Sequence, residues 1–424
     1  MKKVLIITYY WPPAGGPGVQ RWLKFVKYLP EFNIEPVVYV PDNPNYPIID
    51  DSLEAEIPEG ITILKHPIKE PYKLGGILSQ KSTRSISKGI IHHPKKQGLI
   101  EKLMLYIRGN YFIPDARKAW VKPSVKYLSG YIQDNDIQTV ITTGPPHSLH
   151  LIGLKLKESM NLKWIADFRD PWTTIGYHKK LKLSTASKVK HKDLERQVLN
   201  SADHVIVTSQ ITKTEFESKT KSPISVITNG YDAEFPSGVQ LDDKFSLAHI
   251  GSLLSERNPD SLWKALNELV SENEVFAKSF QLDLIGTVSE DVLESIDNYN
   301  LTQHTNVIGY VPHKEAQDYQ RRSQVLLMIE IDSEDTKCII PGKLFEYMAS
   351  NRPILAIGPE GSDVATMVKE TNTGKYFGYQ DYASLKEWLI KQFELYQHDK
   401  LKIEPRGIDK YHRRALTESL AELI

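Results

Sequence analysis

The sequence predicts an α/β protein of two doubly wound domains, each a parallel sheet covered by helices on both faces. Three observations carry that expectation. Short β-rich apolar runs alternate with helix-like stretches along all 424 residues. The alternation stops and restarts near residues 229–241, where Asn-Gly and Phe-Pro-Ser-Gly punctuate the chain as a turn and linker would. Charge divides at almost the same place: residues 1–232 hold 33 basic and 22 acidic side chains, and residues 233–424 hold 20 and 31, so a net charge of zero splits into +11 and −11. The expected domains are therefore residues 1–228 and 229–408, followed by a terminal helix at 409–424.

Apolar residues at 40% and charged residues at 25% are those of an ordinary globular chain, which excludes a disordered tail or a membrane bundle. A single cysteine, Cys338, cannot close an intramolecular disulfide, so a reducing cytoplasm is the expected location. Lys2 and Lys3 precede only about seven apolar residues before Trp11, too few for a secretory signal, and no stretch is apolar enough for long enough to cross a bilayer.

In the first half, residues 4–8 read as a strand, 11–18 as a Pro/Gly loop, and Trp22, Phe25, Val26 and Leu29 as one face of a helix. Further strands are expected at 37–40, 139–142, 163–166 and 204–207. In the second half they are expected at 245–250, 281–285, 305–308, 325–329 and 353–357. Ala415, Leu416, Leu420, Ala421 and Leu423 give the terminal helix a face that must be buried against something. Residues 65–126 hold 14 Lys or Arg against three acids, interleaved with Leu99, Leu103, Met104, Tyr106, Ile107 and Tyr111. That segment reads either as a solvated helical insertion or as an amphipathic surface for anionic lipid; no nucleic-acid-reading motif accompanies its charge.

Four groups stand at the carboxyl ends of strands, where doubly wound sheets bind ligands. Gly15 and Gly16 follow the first strand; they serve as a tight turn or let backbone amides approach an anion or sugar. The loop is not G-x-G-x-x-G, which disfavours a dinucleotide. His147 follows the 139–142 strand and can orient a hydroxyl or move a proton. Asp167, Arg169 and Asp170 end the next strand; Asp170 joins His147 as a catalytic candidate, and Arg169 has the alternative of pairing with either aspartate. In the second half, Gly251, Ser252 and Arg257 form a loop before a helix near Pro259, suited to phosphate. A helix from Gly342 to Asn351 carries Lys343 and Glu346 three apart in its first turn, either as an intrahelical ion pair or as a cation for a diphosphate beside a carboxylate for a ribose diol.

These residues resemble the retaining glycosyltransferases of family 4. The resemblance covers nearly the whole chain, through Asn229-Gly230-Tyr231-Asp232, the 251–257 loop and Lys343-Leu344-Phe345-Glu346-Tyr347-Met348-Ala349 with Arg352-Pro353. It implies the GT-B fold, with two facing Rossmann-like domains, and a terminal helix crossing back to the first. It also implies a role for each residue. Glu346 would bind the donor ribose, Arg257 the diphosphate, and amides near Pro341, Gly342, Lys343 and Leu344 the phosphate oxygens. Tyr310 and Val311 would lie at the base, Gly15 and Gly16 near the donor phosphates, and His147 near the transferred sugar and acceptor. Two departures stand out: Ser252 replaces the family's Arg, and Cys338 the first Glu of its paired-glutamate motif, for which Glu334 or Asp335 could stand in.

The expected function is metal-independent, retaining transfer of a sugar from a UDP- or GDP-linked donor to a glycan or lipid-linked acceptor in cell-surface polysaccharide synthesis. No cofactor is expected beyond this co-substrate, and the inner face of the membrane is a candidate location. The alternatives are a nucleotide-sugar epimerase or other GT-B enzyme, and a noncatalytic nucleotide-sugar-binding protein.

Overall fold

The computed structural model describes residues 1–70, 99–232 and 239–424. The expectations placed on residues 71–98, most of the first part of the basic segment, and on residues 233–238 of the linker lie outside the described residues.

Seven parallel strands form the first sheet in the order β3-β2-β1-β4-β5-β6-β7: β1 (Lys2–Ile7), β2 (Ile34–Pro41), β3 (Thr62–His66), β4 (Thr139–Gly144), β5 (Lys163–Phe168), β6 (His204–Val207) and β7 (Ile224–Val226). Leu5 is in register with Val37 on one side and Val140 on the other. The central strands are apolar on both faces because both faces are covered. Leu5 and Ile7 enter one core with Trp120, Trp164 and Phe168, while Val4 and Ile6 enter another with Trp22 and Phe25.

The second sheet has six parallel strands in the order β10-β9-β8-β11-β12-β13: β8 (Phe245–Ile250), β9 (Phe280–Ile285), β10 (Thr305–Gly309), β11 (Val325–Ile329), β12 (Ile354–Ile357) and β13 (Gly374–Phe377). Phe245 and Leu247 pack on one face with Trp263 and Phe276. Ala248 and Ile250 pack on the other with Leu344, Phe345 and Tyr347.

The chain divides into one unit of Met1–Asn229 with Arg413–Ile424 and a second of Gly230–His412. The terminal helix is shorter than the expected 409–424. Ile408–Tyr411 is a separate 3-10 turn, His412 is extended (φ −66°, ψ 137°), and the helix runs over Arg413–Ala421. Its buried Leu416 and Leu420 join the core containing Trp22 and Phe25, so the partner of its apolar face lies in the first unit. Arg414 adds an ion pair to Glu31 at 2.6 Å.

Arg352 has a local reason for its place before Pro353. Its buried guanidinium donates to the carbonyls of Ser323 and Gln324, each at 2.9 Å, and so ties the end of one helix to the approach to β12.

Candidate functional site

At the carboxyl rim of the first sheet, the 11–18 loop is fixed by its neighbours. Gly15 donates its amide to Ile48 O at 3.0 Å, and a Cβ there would come within 2.9 Å of the Ile48 side chain. Gly16 has φ +105°, which L side chains rarely adopt, and precedes the helix Pro17–Tyr28; the space beside its Cα is open. A Cβ on Gly18 would collide with the Arg169 guanidinium, so this loop and the end of β5 meet.

Of the alternatives open to Arg169, pairing with Asp167 or Asp170 is not what forms. Its side chain donates to the carbonyls of Gly144 and Pro145. Asp167 instead binds Arg21 at 2.8 Å, Trp22 Nε1 at 3.0 Å and Thr143 Oγ1 at 2.8 Å, all fully buried. Its carboxylate is thereby a clamp between β4, β5 and the Pro17–Tyr28 helix. Asp170 is half-buried, and burial pushes its carboxyl up while Arg169 opposes the shift. A second buried ion pair joins Arg117 to Glu70 at 3.1 Å, and Glu70 also accepts from Tyr9 at 2.8 Å and from the Asn45 amide at 2.8 Å.

His147 stands at the cap of the helix Ser148–Ser159 and is 6% exposed. Its ring stacks on Trp172 with centroids 4.7 Å apart and planes 3° from parallel. Among the described residues neither ring nitrogen has a hydrogen-bond partner. Burial first, then His150, His178, Arg169 and His191, holds its pKa well below that of a free imidazole. At neutral pH the ring is uncharged, able to accept a hydrogen bond from a hydroxyl at one nitrogen and donate at the other.

The second rim is built around Gly251, whose φ is +119° and whose amide donates to Ile285 O at 2.7 Å. Gly286 has no room for a side chain because the Gly251 carbonyl lies against it. Ser252 is exposed, and Arg257, at the end of the 3-10 turn Ser255–Arg257, reaches back to within 3.5 Å of its carbonyl. Lys343 Nζ lies 3.6 Å from the Cβ position of Gly251, donates to Ile250 O at 2.9 Å and meets His249 Nε2 at 3.1 Å. Burial of its ammonium, and then the Arg257 charge, pull its pKa down to about 7.

The helix Gly342–Ala349 begins with Pro341 at its cap, so its N-terminal amides lie beside Lys343. Leu344 differs from the expected phosphate ligand: its amide donates to Pro341 O at 3.0 Å and its side chain is core. The intrahelical alternative for Lys343 and Glu346 is not what forms. Glu346 accepts from His313 Nε2 at 3.0 Å and Gln320 Nε2 at 2.8 Å, while Lys343 turns to β8. Tyr310 is 88% exposed and Val311 half-buried after β10. Cys338 is half-buried, and Glu334, its suggested substitute, pairs at the surface with Lys337 at 2.7 Å.

Several residues here escaped sequence reading: His249, His313, Gln320 and Trp172. The histidine on β8 and the pair on the helix His313–Arg322 carry no motif, and only the fold brings them to Lys343 and Glu346. Among the described residues no cluster of three or more His, Cys, Asp or Glu could hold a metal ion, and no helix is long and apolar enough to cross a membrane.

The sequence model of Glycosyltransferase Family 4 matches residues 91–235, and that of Glycosyl transferases group 1 matches residues 244–393. By sequence, no curated protein matches. Solved structures that are similar over the full length include a glycosyltransferase from Rickettsia africae (12% identity, 100% of this chain and 97% of the other, TM-score 0.62). S. aureus TarM, in a complex that includes UDP and α-GlcNAc-glycerol, is 13% identical over 100% and 99% of the two chains (TM-score 0.58). A putative UDP-N-acetylglucosamine 2-epimerase from Listeria monocytogenes is 13% identical over 99% and 95% (TM-score 0.55). These likenesses establish the GT-B fold, and the two sequence models establish the family. The chain is a GT-B enzyme of the family 4, group 1 glycosyltransferases.

Proposed function

We propose that this glycosyltransferase takes its sugar from a UDP- or GDP-linked donor with retention of configuration and without a metal ion. It passes the sugar to a glycan or lipid-linked acceptor in cell-surface polysaccharide synthesis. The observation that carries the donor half is the second rim, where Lys343, Arg257 and the Gly342–Ala349 N-terminus converge and Glu346 lies one helical turn on. Two cations and open helix amides suit a diphosphate, and a carboxylate held by two hydrogen bonds suits a ribose diol. In this reading Arg257, Lys343 and the backbone amides of Ser252 and Gly342 hold the phosphates; Gly251 and Pro341 differ from the expected ligands, because the Gly251 amide is taken by Ile285 O at 2.7 Å and a proline has no amide hydrogen, and they shape the loop and the helix start instead. Negative charge developing on the leaving diphosphate meets positive groups already in place, which is usually the largest catalytic term.

The acceptor half rests on His147, with Asp170 at the same rim; the Gly15–Gly16 loop there would approach the donor phosphates. Because its imidazole is uncharged and hydrogen-bond-free within the protein, it positions the incoming hydroxyl rather than storing charge. Consumption of donor in the absence of any acceptor would favour the epimerase reading, which the fold likeness keeps as the second choice.

Membrane proximity is part of the proposal. On the helix Leu99–Tyr111, Leu103 (58% exposed), Tyr106, Ile107 and Tyr111 (66% exposed) share one outward face. The helix is seated through Gly109 against Leu183, beside exposed Lys180 and Lys182. Apolar side chains flanked by lysines suit the headgroup region of an anionic inner-face bilayer. Co-sedimentation with vesicles at low salt tests this: preference for anionic over neutral lipid is expected, and equal or no binding would remove the membrane from the account.

A further inference from the structure

Glu330 follows the last residue of β11, is 4% exposed and belongs to neither the recognised motif nor the ligand set above. Its Oε2 lies 2.7 Å from the Tyr376 hydroxyl and 3.1 Å from Ser362 Oγ. Its Oε1 is buried without a partner among the described residues. Tyr376 also lies 3.0 Å from Pro359 O, and Ser362 lies 3.0 Å from Tyr376 while accepting the Ala365 amide at 3.1 Å. Gly358 is required beside them, since a Cβ would come within 2.7 Å of Glu330 Oε2.

Proton counting separates two states of this cluster. A carbonyl only accepts, so the Tyr376–Pro359 contact uses the one phenolic proton. With Glu330 ionised, that proton is wanted by both the carboxylate and Pro359, and a charged oxygen is left buried and unpaired. With Glu330 protonated, the carboxyl donates to Tyr376, Tyr376 donates to Pro359, and Ser362 donates to Glu330. The neutral state therefore joins β11, β13 and the 358–362 loop in one network in which each of these protons has its own acceptor and the unpartnered Oε1 carries no charge, at the base of the 330–341 loop that leads to Pro341 and Lys343.

The charges around it point to the ligand. Burial raises the Glu330 carboxyl to about 7; the Tyr376 and Ser362 hydrogen bonds and the Arg257 charge favour the ionised form, and Asp363 opposes it. Tyr379, from the segment after β13, donates to the Glu330 main-chain carbonyl at 2.8 Å, and Asp332 acts on both tyrosines. An anion at Arg257 offsets a cationic influence that favours the ionised carboxyl.

We propose that Glu330 is a positioning residue of the donor site: binding of an anionic nucleotide sugar beside Arg257 drives a proton from solvent onto its carboxylate, completing the network that holds the 330–341 and 358–362 loops. This rests on the donor site proposed above. Lys343 also gains a proton when an anion binds, so the test compares the wild type with Glu330→Gln, which keeps Lys343 and mimics the neutral carboxyl.

Titration calorimetry with UDP-glucose and GDP-mannose, whose diphosphate diesters do not titrate near neutrality, is run between about pH 6 and 8 in two buffers of different protonation enthalpy. The wild type is expected to bind about tenfold more weakly at the upper pH, one unit of coupling, and to take up more protons than Glu330→Gln, whose affinity falls less. Tyr376→Phe removes a bond that favours the carboxylate and should flatten the profile as well. Glu330→Gln should also melt at or above the wild-type temperature at the upper pH. Equal slopes and equal proton uptake in wild type and variant, or a lower melting temperature for Glu330→Gln there, would overturn the role of Glu330 while leaving the donor site standing. No binding of either nucleotide sugar at any pH would overturn both.

Discussion

At the rim of the first sheet, buried carboxylates and guanidiniums meet each other: Asp167 with Arg21, and Glu70 with Arg117. At the rim of the second, Lys343 and Arg257 have carbonyl and imidazole partners, and among the described residues neither forms an ion pair. Two sheets of the same parallel, doubly wound design differ in where most of their charges find partners, Arg169 of the first rim, held by the Gly144 and Pro145 carbonyls, being the exception. Where charge is neutralised internally, the group left without a hydrogen-bond partner among the described residues is a buried, uncharged imidazole, suited to a hydroxyl. Where cations lack carboxylates, the ligand must bring the negative charge. On the proposed function, this difference is what would let one topology, used twice in a chain, serve an acceptor in one unit and a donor in the other.

The sharpest way to break that comparison is to remove one charge from each rim. Asp167→Asn leaves Arg21 buried without its anion and should cost about 3–5 kcal/mol of stability in urea titration, with the affinity of the second unit for nucleotide unchanged. A shift below about 1 kcal/mol would mean that the pair is not the internal clamp described. Arg257→Ala should do the reverse, lowering kcat/KM by about 10²-fold or more while the melting temperature barely moves. Retention of kcat/KM within about twofold would show that the phosphate lies elsewhere.

Smaller effects sharpen the contrast. His147→Ala is expected to lower kcat by about 10- to 100-fold at an unchanged donor Kd; a weakened Kd with normal kcat would move His147 to the donor side. The depressed pKa of Lys343 has its own sign. Between about 7 and the ordinary lysine value the unfolded chain holds a proton that the folded one has released, so this group makes the ligand-free protein more stable as pH rises through that window. Calorimetry should show the opposite trend in donor affinity, which falls as pH rises past 7; in Lys343→Arg, whose guanidinium stays charged, this part of the fall should vanish. The least effect on folding is expected of Ile107→Asp, within about 0.5 kcal/mol by thermal melting, although it should reduce vesicle binding. A large loss of stability would mean that the Leu99–Tyr111 face is covered by protein.

Most of the architecture was legible because central strands of a doubly covered sheet are continuous apolar runs. The strands that went unread, β3, β7 and β13, are all sheet edges with short or polar-interrupted sequences: Thr62–His66 carries Lys65, Ile224–Val226 is three residues long, and Gly374–Phe377 carries Lys375. An edge has one side partly in water, so the apolar signal that marks an inner strand is diluted there. The same logic divides the site. Pro341, Gly342, Lys343 and Glu346 could be read because one helix start carries them all. His249, His313 and Gln320, which fix where Lys343 and Glu346 point, come from two other elements, and Glu330 meets Tyr376 across an intervening strand. The alternative in which Arg169 pairs with Asp167 or Asp170 is not what forms: Asp167 takes its guanidinium from another helix, that of Arg21, and chain proximity does not decide the pairing.

The central claim is that the second unit binds the nucleotide diphosphate. Thermal-shift and calorimetric titration of the wild type and Glu346→Ala with UDP-, GDP-, ADP- and dTDP-sugars tests it most directly, since a ligand at 100 times its Kd stabilises a fold by about 2.7 kcal/mol. The account predicts one clear binder, UDP- or GDP-linked, whose stabilisation disappears in Glu346→Ala. No stabilisation by any of them at millimolar concentration, or equal stabilisation of wild type and variant, would contradict it.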